Sequence, residues 1–197
     1  DIGSLHAKAR SLLRQKKYEE ALAVYEQILK QRPDDVIALY NSACCLSLLG
    51  KKEEAVARLR KAVKAGFLDL SHIKRDPDLD PIRETESYKK LIEDFDSLAL
   101  EAEKRKKERL AARLKGWLCR EDKEKRLVLF TDCSEKWADR LMEILRAWYE
   151  ALTGYYFPNK PKRYIYICVA KDGESYRKNL GGRVGAAGFY NHSTRIL

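Results

Sequence analysis

The sequence contains few of the residues that interrupt or crosslink a chain. Among its 197 residues there are five prolines and five cysteines, and no C-x-x-C pair occurs. The odd cysteine count argues against a disulfide framework and favours a reducing compartment such as the cytoplasm. With 45% apolar residues, the composition predicts a folded protein rather than a disordered or disulfide-stapled one.

Long apolar runs are also lacking. No stretch approaches the roughly 18 apolar residues of a membrane helix, so the sequence predicts no membrane span. No basic segment followed by an apolar one marks a signal peptide. The chain opens with Asp1 and its only methionine is Met142, which leaves open a leader removed before Asp1.

The net charge of +10 is distributed unevenly. Residues 1–100 carry 18 basic and 17 acidic side chains, residues 101–126 carry 11 and 6, and residues 127–197 carry 11 and 7. A basic excess can attract nucleic acid or another anionic surface. Acidic residues are interleaved throughout, which favours a solvated charged helix over a nucleic-acid interface.

The first third of the chain repeats itself with a period of 34 residues. Each copy predicts a pair of helices, first "SLHAKARSLLRQ" and "YEEALAVYEQILKQRP", then "VIALYNSACCLSLLG" and "KEEAVARLRKAVKAG". Small residues recur at matching positions, where they would let the paired helices approach closely: Ala9, Ala21, Ala43 and Ala55. Larger residues would fill the space beside them: Leu12, Tyr25, Leu46 and Leu59.

The ends of these helices are marked as well. Gly50 lies where a turn is needed, and Pro33 follows the second helix and stops it. In length, small positions, large positions and closing proline, residues 2–35 and 36–69 resemble two tetratricopeptide repeats. The resemblance implies an array of helical hairpins that docks peptides or proteins.

Residues 67–95 resemble a degenerate third repeat that covers the open end of the stack. Pro77 and Pro81 predict a short helix ending at Arg75 and another beginning near Glu84. The helical pattern runs on to about Gly116, which predicts a long basic linker helix. The predicted domains are therefore a repeat domain over residues 1–98, a linker helix over 99–119 and a further domain over 120–197.

The resemblance also implies which side chains face the groove of the array. By register they are His6, Arg10, Arg14, Tyr40, Asn41, Cys44, Lys74 and Arg75. Asn41 occupies the place where the family often uses asparagine to hold the backbone of a bound peptide. The set is basic, so the expected ligand is an acidic peptide or loop. Packing of this short groove against the rest of its own protein is an open alternative.

The C-terminal part follows a different pattern. "KRLVLFTDCS" and "KRYIYICVAKD" predict strands, and the tail from Phe189 predicts another. Between the first two lies an amphipathic helix whose large apolar residues fall on one face: Trp137, Leu141, Ile144, Leu145, Trp148 and Leu152. With a short helix in "GESYRKNLGG", the order is β-α-β-α-β, so the whole fold is mostly α with a partial α/β domain at its end.

This part of the sequence resembles the beginning of a gluzincin-like metallopeptidase domain. The resemblance rests on the segments "FTDCS", "YYFP", "AKDGESYRKNLG" and "GFY". The resemblance implies a zinc-binding H-E-x-x-H helix further on. That motif is absent here, because the histidines are His6, His72 and His192 and none has the spacing. We therefore expect no catalytic centre and no cofactor in this chain, with zinc in a longer protein of which this chain is the N-terminal part.

Three functions remain open from the sequence. The chain is part of a zinc peptidase, a stand-alone repeat adaptor, or a nucleic-acid binder that uses its basic helix.

Overall fold

The computed structural model describes residues 1–156, 161 and 163–181. The chain separates into two compact units, Asp1–Arg105 and Lys106–Leu197. The fold is mostly helical with a three-stranded sheet, as the sequence predicts: a helical repeat array followed by a partial α/β region.

The N-terminal unit is built from consecutive helices. Its first four are α1 (Ile2–Arg14), α2 (Tyr18–Gln31), α3 (Val36–Leu48) and α4 (Lys52–Ala65). They are followed by α5 (Leu70–Arg75), a 3₁₀ helix (Pro77–Ile82), α6 (Glu86–Glu93) and the start of α7 (Phe95–Arg113). The four helices predicted from the 34-residue period all form.

The four repeated alanines are completely buried. Ala9, Ala21, Ala43 and Ala55 each have no exposed surface. Tyr25 packs in the cluster that contains Ala9 and Ala21, whose small side chains leave room for its ring. The predicted role of these positions, close approach of paired helices, accounts for their burial.

The turn within each of the first two hairpins has the same backbone geometry. Lys16 has a φ of +61° and Gly50, which lies 34 residues later, has a φ of +73°. The amide of Lys17 donates to the Leu12 carbonyl at 3.0 Å, and the amide of Lys51 donates to the Leu46 carbonyl at 2.9 Å. This hydrogen bond across the end of a helix is the one that a left-handed residue makes possible.

The third hairpin is irregular, as the prolines predict. Asp76 ends α5, and its side chain accepts a hydrogen bond from the Asp78 amide at 3.0 Å, which starts the 3₁₀ helix. Ile73, Leu79, Ile82 and Leu91 from this region are fully buried with residues of α3 and α4. The segment therefore covers the end of the second hairpin.

Two features of the middle of the chain differ from the sequence pattern. The helical run from Glu86 is interrupted at Asp94, where α6 ends and α7 begins. The boundary between the two compact units lies within α7, and strand β1 already begins at Leu118, inside the segment predicted to be linker.

The C-terminal unit contains a mixed sheet of β1 (Leu118–Asp122), β2 (Leu127–Thr131) and β3 (Ile165–Val169). β1 pairs antiparallel with β2, and β2 pairs parallel with β3 through the crossover helix α8 (Glu135–Ala151). A π-helical segment, Leu152–Tyr156, continues α8, and a short helix α9 (Gly173–Ser175) follows β3. The strand predicted to begin at Phe189 lies outside the described residues, and so does His192.

The central strand β2 is buried on both faces. Val128 and Phe130 pack with Leu110 and Leu114 of the segment that precedes the sheet. Leu127 and Leu129 pack on the opposite face against Met142 and Tyr149 of α8.

The apolar face predicted for α8 is only partly buried. Leu141 and Leu145 pack against the cluster beneath α8, beside the buried Met142 and Tyr149. The other predicted residues are exposed: Trp137, Ile144, Trp148 and Leu152. The predicted residues do not all face the core, because the helix meets the sheet along a line displaced from its largest side chains.

Candidate functional site

The candidate site consists of the first helices of the three hairpins, α1, α3 and α5. Together these helices contain five cationic side chains, Lys8, Arg10, Arg14, Lys74 and Arg75, and no carboxylate. By contrast, α2, α4 and α6 contain seven carboxylates alongside eight cations. Between their capping residues, the first helices therefore carry cations without carboxylates, and the second helices carry both.

His6 bridges the first two hairpins. Its Nε2 lies 3.2 Å from Oδ2 of Asp35, and the two side chains are 13% and 14% exposed. The other carboxylate oxygen of Asp35 accepts the Ala38 amide at 2.9 Å and so caps α3. His6 was predicted as a groove residue, and the structure places it in a contact between α1 and the start of α3.

Tyr40 makes the equivalent bridge from the second hairpin to the third. Its hydroxyl donates to Oδ2 of Asp76 at 2.5 Å, and its ring stacks on Phe67 with centroids 3.8 Å apart. His72 Nε2 lies 3.4 Å from the same carboxylate oxygen, and the thiol of Cys44 is 3.9 Å from it. Asp76 thus joins α3 to the end of α5.

This environment changes the acidity of the groups involved. Burial is the main reason that the pKa of Tyr40 is raised far above its ordinary value, and the neighbouring Cys44 and Asp76 add to the effect. Burial likewise raises the pKa of Cys44, with Asp76 contributing. Tyr40 and Cys44 are therefore neutral near pH 7, and the thiol is not activated as a nucleophile.

Arg10 and Asn41 both lie close to the hydroxyl of Tyr25. Burial raises the pKa of Tyr25 to about 12, while the neighbouring Asn41 amide and the Arg10 guanidinium act in the opposite direction. Asn41 is half-buried and Arg10 is exposed. These two predicted residues therefore converge on one place on the array.

The remaining predicted residues are exposed. Arg14 is in the last turn of α1, and Lys74 and Arg75 are at the end of α5. Arg75 Nε donates to the Ser71 carbonyl at 3.2 Å, and the Lys74 carbonyl accepts a hydrogen bond from Arg83. Both contacts hold the end of α5 and leave the Lys74 ammonium at the surface.

Sequence reasoning missed the aspartates that organise this site. Asp35 stands at a helix start, where acidic residues are common, and Asp76 precedes Pro77 in an apparent break. Their partners are 29 and 36 residues away in the chain. The available signal was the matched spacing of His6 and Tyr40, which are 34 residues apart.

The carboxyl end of β2 carries a further polar cluster. Asp132 accepts the Lys171 amide at 2.6 Å and the Ser175 hydroxyl, and thereby joins the two parallel strands. Within the described residues, no three His, Cys, Asp or Glu side chains are grouped as metal ligands. In that same part of the chain, no helix is both long and apolar enough to cross a membrane.

The helical hairpins, the buried alanines and the repeated turns agree with a known family of helical repeats. Residues 6–66 match the tetratricopeptide repeat family model. Tetratricopeptide repeats imply a scaffold for protein–protein interaction. The matched span contains the first two hairpins and the bridges between their first helices.

One curated relative shares part of the chain. Over 83 residues, 41% of this chain, the sequence is 37% identical to a chloroplastic protein of Arabidopsis thaliana. The matched part spans 25% of that protein's length. No solved structure matches. These comparisons support the tetratricopeptide repeats, and none of them matches a gluzincin-like peptidase.

Proposed function

We propose that the tetratricopeptide repeats dock an acidic peptide segment of a partner protein on the face formed by α1, α3 and α5. The observation that carries the proposal is the set of five cations without a carboxylate on these three helices. An acidic segment would gain favourable electrostatic contacts along the whole face, and opposite charge also speeds encounter.

Two of the aspartates that flank these helices are held in contacts between hairpins. Asp35 is held by His6 and by the start of α3, and Asp76 is held by Tyr40 and His72. Both carboxylates are part of the bridges between hairpins. The exposed charges that meet a ligand are those of Arg10, Arg14, Lys74 and Arg75.

Asn41 supplies the uncharged contact. Like Arg10, it lies close to Tyr25, and its amide can both donate to and accept from a peptide backbone. In this arrangement Asn41 positions the main chain of the ligand while the arginines and lysine select acidic side chains.

Selection of a random peptide library on the whole chain tests the proposal. We expect enrichment of Asp and Glu, and we expect a selected peptide to bind about tenfold or more weakly when Arg10 and Lys74 are both changed to Ala. Lys61→Ala, at an exposed cation on α4, is the matched control and should leave binding unchanged. Selected peptides without acidic residues, or equal loss in the control, would contradict the proposal.

The basic helix α7 is less suited to nucleic acid. Lys106 stacks over the ring of Tyr166 at 4.1 Å from its centroid, and Lys107 pairs with Glu121 at 2.5 Å. The Arg113 guanidinium donates to the Asn179 carbonyl at 3.0 Å. Because these cations already have partners within the C-terminal unit, an acidic peptide on the repeats is the better supported ligand.

We also infer that the C-terminal unit is the front of a peptidase-like domain in a longer protein. The support is the motif resemblance together with the parallel pair β2 and β3 joined by α8. Zinc would be held by residues beyond this chain. Sequencing the locus beyond Leu197 tests this second proposal, since an H-E-x-x-H motif soon after that point supports it and a stop codon there contradicts it.

A further inference from the structure

Of the seven large apolar side chains that are exposed among the described residues, five lie on α8 or in the π-helical segment that continues it. Trp137 and Trp148 of α8 are 62% and 63% exposed, and Tyr155 just after it is 88% exposed. Ile144 and Leu152 are also exposed. We name Trp137, Ile144, Trp148, Leu152 and Tyr155 the α8 face.

A cleft lies at the C-terminal end of this face. Its volume is about 400 Å³, and its walls include Leu145, Trp148, Leu152, Ile165 and Ile167. The hydroxyl of Thr153, also in the wall, donates to the Tyr149 carbonyl at 2.7 Å and is therefore satisfied. The cleft is apolar and of a size that admits an indole ring.

We propose that the α8 face binds a second copy of this chain, with Trp137 of each copy seated at the cleft of the other. Trp137 and Trp148 are 11 residues apart, about 16 Å along the helix. An antiparallel second helix, with the two-fold axis between Met142 and Glu143, brings each Trp137 against the other copy's Trp148. The same axis brings Leu141 against Ile144, so one face serves both partners.

The exposed area approaches that of a small stable dimer interface. An aromatic side chain covers about 150–250 Å², so Trp137, Trp148 and Tyr155 together expose roughly 300–500 Å² per copy. Two copies contribute roughly twice that, and Ile144, Leu152 and the cleft walls bring the total toward the about 1,200 Å² of the smaller stable interfaces.

The charges of α8 permit the approach of an identical helix. The helix carries four acidic and three basic side chains, a net charge of −1, on a chain of net charge +10. Arg140 pairs with Glu143 at 2.8 Å and Arg146 pairs with Asp122 at 2.7 Å. Two copies of this nearly neutral helix therefore do not repel each other as the basic surfaces elsewhere would.

Light scattering and sedimentation equilibrium of the whole chain test the proposal, which concerns a surface separate from the peptide-docking helices. We expect twice the 22.8 kDa chain mass, with a blue shift of tryptophan emission as concentration rises. Trp137→Glu should weaken dimerisation about thirtyfold or more, because a charge replaces the tryptophan that each copy seats at the cleft of the other.

The control is Leu100→Glu, which places the same charge at a residue of α7 that is 66% exposed. This variant should dimerise like the wild type, and circular dichroism should show equal helix content in all three proteins. A wild-type chain that stays monomeric at its highest soluble concentration would overturn the proposal and leave the α8 face to a different partner. Undiminished dimerisation of Trp137→Glu would also overturn it.

Discussion

The two units of the molecule differ in how completely they bury their large apolar side chains. Among the described residues, seven large apolar side chains are exposed, of which Ile37 and Leu100 belong to the N-terminal unit. The other five form the α8 face in the C-terminal unit. Within a hairpin, each helix supplies the surface that its neighbour needs. In the sheet unit, a helix carries more apolar surface than one face of three strands covers.

The helical spacing of apolar residues predicts burial more reliably in the repeats than in α8. In the repeats, an apolar position predicts burial because the neighbouring helix is close in sequence. In α8, the same kind of position predicts only that some surface will be covered, either by the sheet or by another molecule.

Phe130→Ala should give the largest loss of stability. Phe130 is 1% exposed on a strand that is buried on both faces, so its truncation should lower the free energy of unfolding by about 3–5 kcal/mol. Denaturant unfolding measures the change. Cys119→Ala, at the exposed residue that pairs with Phe130 across β1 and β2, should stay within about 0.5 kcal/mol. Equal losses would show that β2 is not the core of its unit.

Asp76→Asn should be the next most damaging change. The carboxylate accepts the Tyr40 hydroxyl and contacts His72, and a hydrogen bond to a charged group contributes about 1.5–3 kcal/mol. A double-mutant cycle with Tyr40→Phe should recover most of this as coupling between the two residues. Additive losses would indicate that Asp76 acts mainly as the cap of the 3₁₀ helix.

Ala43→Leu tests the close approach of helices in the repeats. Ala43 has no exposed surface, so the larger side chain should overpack the second hairpin and cost about 1–3 kcal/mol. Ala57→Leu makes the same change at an exposed position of the same hairpin. It should be nearly neutral, and a midpoint of urea unfolding that falls equally in both variants would refute the proposed role of the small residue.

Lowering the pH should change the contributions of Asp122 and Asp78 to folding stability in opposite directions. The Lys125 amide and then Arg146 lower the pKa of Asp122, so its stabilising contribution exists at neutral pH and is lost as pH falls through its depressed pKa. Burial, with Asp76 and Asp80, raises the pKa of Asp78. Ionised Asp78 therefore destabilises the folded state as pH rises through its elevated pKa.

Replacing either aspartate by asparagine should change the free energy of unfolding at pH 7, with opposite signs for the two variants. Asp122→Asn should lower stability by about 0.2–1 kcal/mol, and Asp78→Asn should raise it by a similar or smaller amount. Both differences should disappear well below pH 3.9, the ordinary aspartate pKa, in thermal unfolding followed across pH. A shared sign at pH 7 would contradict the assignment.

The sequence predicts the repeats well because their contacts are local. The 34-residue period places Ala9 and Ala43 correctly, since each packs against the helix that follows. Strand β1 was missed because "LCRED" contains three charged or polar residues, and its pairing depends on the turn at residues 123–126.

The candidate site was harder to foresee. The basic character of α1 and α5 can be read from composition, and the groove role of Arg10, Arg14, Asn41, Lys74 and Arg75 stays a prediction. The bridges made by His6 and Tyr40 depend on aspartates that come close only after neighbouring hairpins have stacked. Chain spacing alone does not distinguish such a bridge from a ligand contact.

The matching turns at Lys16 and Gly50 have an evolutionary consequence. Each of the first two hairpins contains its own reversal of direction, which has the same backbone geometry with lysine in one and glycine in the other. A gene duplication that copied residues 36–69 in tandem would therefore deliver a complete building block, with its reversal and its alanines already in place. Arrays of this kind can lengthen by one block at a time, and each added block would extend the proposed docking surface.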